Sequence, residues 1–296
     1  MTSSTISGLV KLCRPQQWTK NLLVLSVPLA SKDILEYEVL KQSVIAAFAF
    51  VLVSSSVYVW NDLRDINLDK LNPMKTSRPL ASGEVGKWHA YILGLVLFIC
   101  GISFAAIWSS LAFLGTLCAY CVIQFCYQMW FKNIALLDIV SVSSGFVLRA
   151  MAGGAALGIP ISFWFMSITS SVALFVISAK RFSEFQASGQ DFGARKVLTQ
   201  YSESYLRTVW AGSLSISVIF YMLWSAEKEL VEASSISRAS VIPFTLVLLK
   251  YAMHADKGLA EQPEKIVFAD RFIQVFAFSW LVLFLLCISQ TDLHPT

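Results

Sequence analysis

The chain has 296 residues, of which 56% are hydrophobic and only 14% are charged. Soluble domains carry about a quarter charged residues, so this composition excludes an ordinary soluble protein and predicts a polytopic membrane protein. The net charge of +4 is modest, and the placement of the charges is therefore more informative than their sum.

The N-terminal stretch is polar, and the first apolar run begins only after Trp18, so no cleavable signal sequence is apparent. The pattern R-P-x-Q-W-x-K-N covers residues 14–21. The indole of Trp18 suits the headgroup level of a membrane, which places Arg14, Gln17 and Lys20 at the membrane surface. These three side chains either position the phosphate of a lipid substrate or only fix the orientation of the first helix.

Nine membrane-spanning helices are predicted from the apolar runs and their breaks. A span needs about 20 residues, so the 44 uncharged residues between Lys87 and Lys132 predict two helices joined by a tight turn. Gly158 and Pro160 break a second long run in the same way. We expect one domain over residues 1–296, with helices at 18–34, 38–60, 88–108, 110–130, 134–157, 162–180, 205–225, 237–255 and 270–290.

The most informative polar stretch follows the second predicted helix and contains Asn61, Asp62, Asp65 and Asp69. On a helix the three carboxylates fall within about 60° of one another. Carboxylates that close repel each other unless a cation lies between them, and Mg²⁺ is held by one or two carboxylates together with water and phosphate oxygens. The spacing indicates a Mg²⁺–phosphate site, and a solvated interfacial turn is the alternative.

Basic residues that suit phosphate groups follow this stretch and recur after the sixth predicted helix. Lys75 and Arg78 come directly after the acids, and Lys180 and Arg181 precede Glu184. Any of these cations can instead be an ordinary anchoring charge. Lys180 and Glu184 also have the i,i+4 spacing of a simple helix ion pair.

Arg149 lies in the middle of an apolar helix, where a cation is costly and normally faces a cavity or a partner. We expect its side chain to face the substrate pocket. The alternative is a structural ion pair with Asp138, about three helical turns earlier.

The positive charges divide unevenly between the two ends of the predicted helices. Eighteen Lys and Arg residues fall on the side of the N-terminus and the acidic stretch, against four on the opposite side. The positive-inside rule then places the N-terminus and the acidic stretch in the cytoplasm. We expect the membrane to be the plasma membrane. A substrate with a charged head and an apolar tail suits such a layout.

The pattern N-D-x-x-D-x-x-x-D at residues 61–69 resembles the first Asp-rich motif of the UbiA superfamily of intramembrane prenyltransferases. The resemblance implies an all-α integral membrane barrel of nine helices with a cytoplasmic active site, in which Mg²⁺ holds a diphosphate leaving group. Asp62 and Asp65 are the implied catalytic metal ligands, with Asn61 and Asp69 in support. The family's second motif, D-x-x-x-D, is missing after the sixth predicted helix, where only Glu184 is well placed.

That departure and the pattern at 14–21 resemble one branch of the family, the decaprenyl-phosphate phosphoribosyltransferases of arabinan cell-wall synthesis. The branch implies Mg²⁺-dependent transfer of a 5-phosphoribosyl group from 5-phosphoribosyl 1-diphosphate to a polyprenyl phosphate. Arg14, Gln17 and Lys20 are the implied ligands of the lipid phosphate. The implied ligands of the donor are Lys75, Arg78, Arg149, Lys180, Arg181, Glu184 and Tyr201.

The implied partners are the donor, the polyprenyl phosphate and the membrane, with no nucleic acid; association into a homo-oligomer is compatible with this class. Two other functions compete with this interpretation. A polyprenyl-diphosphate-dependent aromatic prenyltransferase would need the missing second Asp motif. A transporter would need more intramembrane polar residues than Arg149 and Asp138.

Overall fold

The structure is a computed structural model that describes residues 3–31, 36–71, 75–187, 196–231 and 235–290, all without β-strands. Short 3₁₀ segments cover Pro15–Leu25, Phe131–Asn133 and Lys196–Gln200. The α-helices in chain order are α1 (Ser3–Leu12), α2 (Ser26–Ala30), α3 (Tyr37–Leu71), α4 (Lys87–Trp108), α5 (Leu111–Met129), α6 (Leu137–Leu157), α7 (Phe163–Ala187), α8 (Glu203–Val231), α9 (Ser235–Asp256), α10 (Pro263–Ala269) and α11 (Arg271–Gln290).

Eight of the described helices are long and apolar enough to span a membrane, namely α3 to α9 and α11. They correspond to the second to ninth predicted helices, with ends that shift by a few residues. The largest difference is in α3, which continues to Leu71 instead of ending at residue 60. The acidic stretch is therefore helical and extends the spanning helix, and its predicted position after the end of that helix is wrong.

The first predicted helix, 18–34, is broken in the structure. A 3₁₀ segment covers Pro15–Leu25 and the five-residue α2 follows it, while residues 32–34 lie outside the described part of the chain. Pro28 has no N–H to donate and its ring crowds the preceding turn, so a regular α-helix through this position is disfavoured. A 3₁₀ run of eleven residues is unusual, since most are three or four residues long.

Neighbouring spans pack in pairs, α3 with α4, α5 with α6, α7 with α8, and α9 with α11. Local signals set the breaks between them. The Ser110 side chain caps α5 by accepting the Phe113 N–H at 3.0 Å. Gly158 ends α6 in the left-handed conformation that favours glycine, with φ 69°. Apolar side chains of α3, α5 and α6, including Phe50 and Phe113, form one buried cluster in this half of the chain.

The N-terminal 3₁₀ segment crosses α6 at Gly153. A Cβ at this position would lie 2.0 Å from the carbonyl oxygen of Val24, so the close approach of the two backbones requires glycine. This contact brings Asn21 next to Arg149, which lies one turn before Gly153 on α6.

Candidate active site

Two buried carboxylates on the C-terminal part of α3 share one cation. Asp62 and Asp69, two turns apart, are each only 3% exposed. The Nη1 atom of Arg78 donates to Asp69 at 2.7 Å and lies 3.3 Å from Asp62. Lys75 lies 4.0 Å from Asp69. The structure therefore brings Asp62 and Asp69 to one face and places positive charge between them, as their spacing predicts.

Arg14 is a second cation at the same carboxylate. Its Nη2 atom donates to Asp62 at 2.5 Å, and its guanidinium lies 5.4 Å from the centre of the Tyr58 ring. The Arg14 backbone is left-handed, with φ 50° and ψ 63°, which is uncommon outside glycine. This conformation turns the chain between α1 and the 3₁₀ segment. The structure thus places Arg14 in the acidic cluster of α3, whereas Lys20 lies in a different cluster.

Asp65 has a different partner from the other two acids. Its side chain accepts from the Lys132 ammonium at 2.7 Å, and both side chains are about one-fifth exposed. Lys132 belongs to the 3₁₀ segment between α5 and α6. Asn61 is half-buried beside Asp62. Asp65 and Asn61 therefore flank the Asp62–Asp69 pair and do not contact Arg78 directly.

The carboxylate pair suits a hard divalent cation. Asp62 and Asp69 both reach one nitrogen of Arg78, so they can also reach one cation at that point. Mg²⁺ needs only one or two carboxylates and takes its remaining oxygens from water and phosphate. Within the described ranges, no three His, Cys, Asp or Glu side chains gather closely enough to hold a metal alone. The residues therefore fit a metal that shares its coordination with substrate phosphates.

A second ion cluster joins α6 and α7. Arg181 donates twice to Asp138, with the Nη2 contact at 2.9 Å, and once to Glu184 at 2.6 Å. Its side chain is 2% exposed and that of Asp138 is fully buried. The Tyr127 hydroxyl also donates to Asp138 at 3.1 Å. Lys180 lies 3.9 Å from Glu184 and is more exposed than Arg181. The structure encloses Arg181 among acids and leaves Lys180 at the edge of the cluster.

Arg149 is held by uncharged groups. It is 4% exposed and donates to the Asn21 side chain at 2.9 Å, the Gly145 carbonyl at 2.8 Å and the Tyr120 hydroxyl at 2.9 Å. No carboxylate pairs with it in the part of the chain that the structure describes. The alternative of an ion pair with Asp138 is wrong, because Asp138 binds Arg181. Arg149 therefore contributes a positive charge to the interior that is not neutralised by an acid of the described residues.

A third polar cluster connects the N-terminal segment to α10. The Gln17 amide donates to one oxygen of Glu264 at 2.7 Å, and the charges of Lys20 and Lys180 act on the same carboxylate. Burial acts to raise the pKa of Glu264, but the charge of Lys20 and the Gln17 hydrogen bond outweigh burial and hold this pKa below its ordinary value. Glu264 is consequently ionised at neutral pH.

Tyr201 supports the start of α6. Its hydroxyl accepts the Leu136 backbone N–H at 2.9 Å, and its ring stacks on that of Tyr205. Leu136 has a positive φ of 67°, so this hydrogen bond holds an unusual backbone turn just before α6. Burial raises the pKa of Tyr201, which keeps its hydroxyl protonated at neutral pH. The structure gives Tyr201 a role in positioning α6, the helix that carries Asp138 and Arg149.

We expect Tyr201→Phe to lower the free energy of unfolding by about 1–2 kcal/mol, because the Leu136 N–H loses its acceptor. Thermal unfolding of the purified protein in detergent measures this loss. Tyr205→Phe is the matched control, since its half-exposed ring stacks on Tyr201 without a described hydroxyl contact. Equal stability of Tyr201→Phe and the unchanged chain would show that the hydrogen bond contributes nothing.

Three charged residues of these clusters were not assigned to the site from the sequence. Asp138 was visible as an acid in an apolar helix, a type of residue that normally has a partner or a function. Lys132 carried the weaker signal of a lone cation between two apolar spans. Glu264 carried no distinguishing signal, because several acids and cations surround it in the stretch between the last two spans.

Comparison with known proteins identifies the family. Residues 29–253 match the model of the UbiA prenyltransferase family. The chain belongs to the UbiA prenyltransferase family. It is 38% identical over 290 residues to decaprenyl-phosphate phosphoribosyltransferase of Mycolicibacterium smegmatis, covering 93% of this chain and 91% of that protein. The protein of the same name from Corynebacterium glutamicum is 35% identical over 283 residues, covering 93% of this chain and 84% of that protein.

Solved structures share the fold of this UbiA family member. The structure of a UbiA homolog from Archaeoglobus fulgidus bound to GPP and Mg²⁺ has a TM-score of 0.71. It covers 95% of this chain and 99% of the homolog, at 16% sequence identity. The all-helical membrane architecture expected from the resemblance is therefore confirmed.

Within this UbiA family fold, the N-terminal 3₁₀ segment connects the polar clusters. Arg14 binds α3, Gln17 binds α10 and Asn21 binds α6. These residues are three and four positions apart in the pattern R-P-x-Q-W-x-K-N. The pattern therefore specifies a segment whose polar side chains meet three different helices of the bundle.

Proposed function

We propose that this UbiA family protein is a decaprenyl-phosphate phosphoribosyltransferase that depends on Mg²⁺. It transfers the 5-phosphoribosyl group of 5-phosphoribosyl 1-diphosphate to a polyprenyl phosphate and releases pyrophosphate, as one step in the synthesis of an arabinan cell-wall precursor. The observation that carries the proposal is the 38% identity, over 93% of the chain, to a protein of that name. The ion clusters of the candidate active site support it.

Asp62 and Asp69 are the primary ligands of the metal in this proposal, with Asp65 and Asn61 beside them. Asp69 takes the primary role expected of Asp65 from the sequence, because Asp62 and Asp69 share Arg78 whereas Asp65 pairs with Lys132. When bound, Mg²⁺ neutralises charge that develops on the leaving pyrophosphate. Arg78 then exchanges its carboxylate contacts for the phosphate oxygens, since a guanidinium can pair with either. Lys75, 4.0 Å from Asp69 and partly exposed, is placed to reach the same phosphates.

The second cluster supplies the basic end of the donor site. Lys180 is the partly exposed cation there and is the proposed ligand of the donor's 5-phosphate. Arg181 and Glu184 position the adjacent part of α7 through Asp138, and Tyr201 positions the start of α6. These three residues, first expected to bind the donor, act in this proposal mainly by holding the walls of its site.

The acceptor phosphate meets two cations that face one aromatic ring. The Lys20 ammonium and the Arg149 guanidinium lie 5.8 and 5.9 Å from the centre of the Phe146 ring. Arg149 was first expected to bind the donor, but its contacts are with the N-terminal segment that carries Lys20. The nucleophile is a phosphate monoester, ionised at neutral pH, so no general base is required.

We further propose that the chain forms one domain with nine crossings and a cytoplasmic active site at the plasma membrane. The 3₁₀ segment and α2 would form the first crossing, in addition to the eight long helices. The uneven distribution of Lys and Arg supports this orientation.

Membranes that contain the protein are expected to convert labelled 5-phosphoribosyl 1-diphosphate and a polyprenyl phosphate into a labelled lipid, and a chelator of divalent cations should stop the reaction. Thin-layer chromatography of the extracted lipid measures the product. Membranes without the protein are the control. Absence of labelled lipid, with prenylation of an aromatic acceptor from a polyprenyl diphosphate instead, would contradict the proposal.

A further inference from the structure

Two buried polar atoms near the candidate active site have no hydrogen-bond partner among the described residues. They are the Oε2 atom of Glu264 and the hydroxyl oxygen of Tyr251. The other carboxylate oxygen of Glu264 accepts from Gln17 at 2.7 Å. Tyr251 is only 5% exposed. Buried polar atoms are nearly always paired in folded proteins, so two such unpaired atoms indicate a missing partner.

The two side chains lie on helices that pack against each other. Tyr251 of α9 and Ile266 of α10 belong to one buried apolar cluster, and Glu264 is two residues from Ile266. The charge of Glu264 acts on the Tyr251 hydroxyl and on the cations Lys20 and Lys180. The Glu264 carboxylate is therefore within electrostatic range of both the cation proposed for the lipid phosphate and the cation proposed for the donor phosphate.

The chemistry of an ionised carboxylate restricts which partner is missing. A carboxylate oxygen only accepts hydrogen bonds, so its partner has to be a donor. Ionised phosphate groups carry no donor, and neither does a hydrocarbon chain. Hydroxyl groups do, and the ribose of the proposed donor substrate carries two of them on adjacent carbons. A tyrosine hydroxyl can donate to or accept from the second of these.

We propose that Glu264 and Tyr251 bind the 2- and 3-hydroxyl groups of the ribose of the donor substrate, an inference that rests on the proposed function. The carboxylate of Glu264 accepts from one hydroxyl and the phenol of Tyr251 pairs with the other. Glu264 and Tyr251 are thus specificity-determining residues that select a phosphorylated sugar over a prenyl diphosphate.

The selection follows from the cost of leaving these groups unpaired. A prenyl diphosphate can meet the cations of the site through its phosphates, but it offers no donor to Glu264. A site built to hydrogen-bond a substrate hydroxyl discriminates strongly against an analogue that lacks it, because its own buried groups then stay unpaired. The carboxylate also disfavours a second anionic group at the position of the sugar.

The test compares Glu264→Gln and Tyr251→Phe with the unchanged protein on three donors: 5-phosphoribosyl 1-diphosphate and its 2-deoxy and 3-deoxy analogues. We expect the unchanged protein to prefer the ribosyl donor over each deoxy analogue by about ten-fold or more in kcat/KM, because each missing hydroxyl leaves one buried group unpaired, either the Glu264 carboxylate or the Tyr251 hydroxyl. In each variant, the kcat/KM ratio between the ribosyl donor and one of the two deoxy analogues should fall close to one, and the ratio for the other analogue should be kept. Glu261→Gln, an exposed acid three residues before Glu264, is the control and should keep the preference.

A second measurement separates recognition of the ribose from folding. Inorganic pyrophosphate has the anionic groups of the donor and no sugar. Its Kd for both variants should stay within about two-fold of that for the unchanged protein, since the side chains that bind phosphate are intact. Variants that lose activity equally on all three donors, with weaker pyrophosphate binding and a lower unfolding temperature, would assign the two residues to packing and overturn the inference. An unchanged protein that uses the ribosyl and deoxyribosyl donors equally well would also overturn it, with the proposed function left intact. An unchanged protein that forms no product from any of the three would overturn both.

Discussion

Replacing Asp62 by Asn is expected to lower kcat by about a thousand-fold, because one of the two carboxylates proposed to hold Mg²⁺ is lost, and with it the charge stabilisation that the ion would give the leaving pyrophosphate. The unfolding temperature should change little. Asn has the shape of Asp and can still accept from Arg14, and the substitution relieves the repulsion between Asp62 and Asp69 across the 3.3 Å and 2.7 Å contacts to Arg78. Formation of labelled lipid by the purified protein at saturating donor measures kcat.

Binding of the metal can be measured in the same preparation without turnover, from the unfolding temperature. Mg²⁺ should raise the unfolding temperature of the unchanged protein in the presence of pyrophosphate, and this shift should disappear in Asp62→Asn. Asn67→Ala, an exposed substitution on the same part of α3, is the control and should retain both activity and shift. If the Mg²⁺-dependent kcat of Asp62→Asn stays within about ten-fold of that of the unchanged protein, the metal site lies elsewhere.

The membrane helices and the acidic face were predictable because both depend on short-range rules. The length of an apolar run determines how many spans it can form, which separated α4 from α5 without any tertiary information. The helical period likewise placed Asp62 and Asp69 on one face before their contact with Arg78 was known. Such rules apply within a few turns of helix.

The pairing of charges across helices was not predictable in the same way. Arg181 and Asp138 are 43 positions apart, and Asp65 and Lys132 are 67 apart. Which cation meets which acid depends on the packing of α3, α5, α6 and α7, and a single sequence contains no direct signal for it. In the broken first helix, Pro28 is a local signal against a regular α-helix, but the approach of the backbone to Gly153 is a property of the assembled bundle.

Replacing Arg181 by Met is expected to destabilise the protein by about 3–5 kcal/mol, because it leaves the buried carboxylate of Asp138 without its cation. Asp138 is fully buried and Arg181 is 2% exposed, so neither water nor a mobile side chain can readily replace the lost contact. Thermal or denaturant unfolding in detergent measures the effect. Lys180→Met is the matched control on the same helix: its ion pair with Glu184 is 3.9 Å long and partly exposed, so its removal should cost less than about 1 kcal/mol.

Kinetic measurements on the same two variants distinguish a structural role of each residue from direct contact with the substrate. Lys180→Met should raise KM for the donor with little loss of stability, whereas Arg181→Met should lose stability first. The double variant Arg181→Met with Asp138→Leu should regain much of that stability, because removing both members of a buried ion pair is far less costly than removing one. A stable Arg181→Met whose only defect is a raised KM for the donor would instead make Arg181 a direct ligand of the substrate. In that case Asp138 would position the Arg181 guanidinium for the donor. The buried Asp138 carboxylate would then not require this ion pair for the stability of the fold.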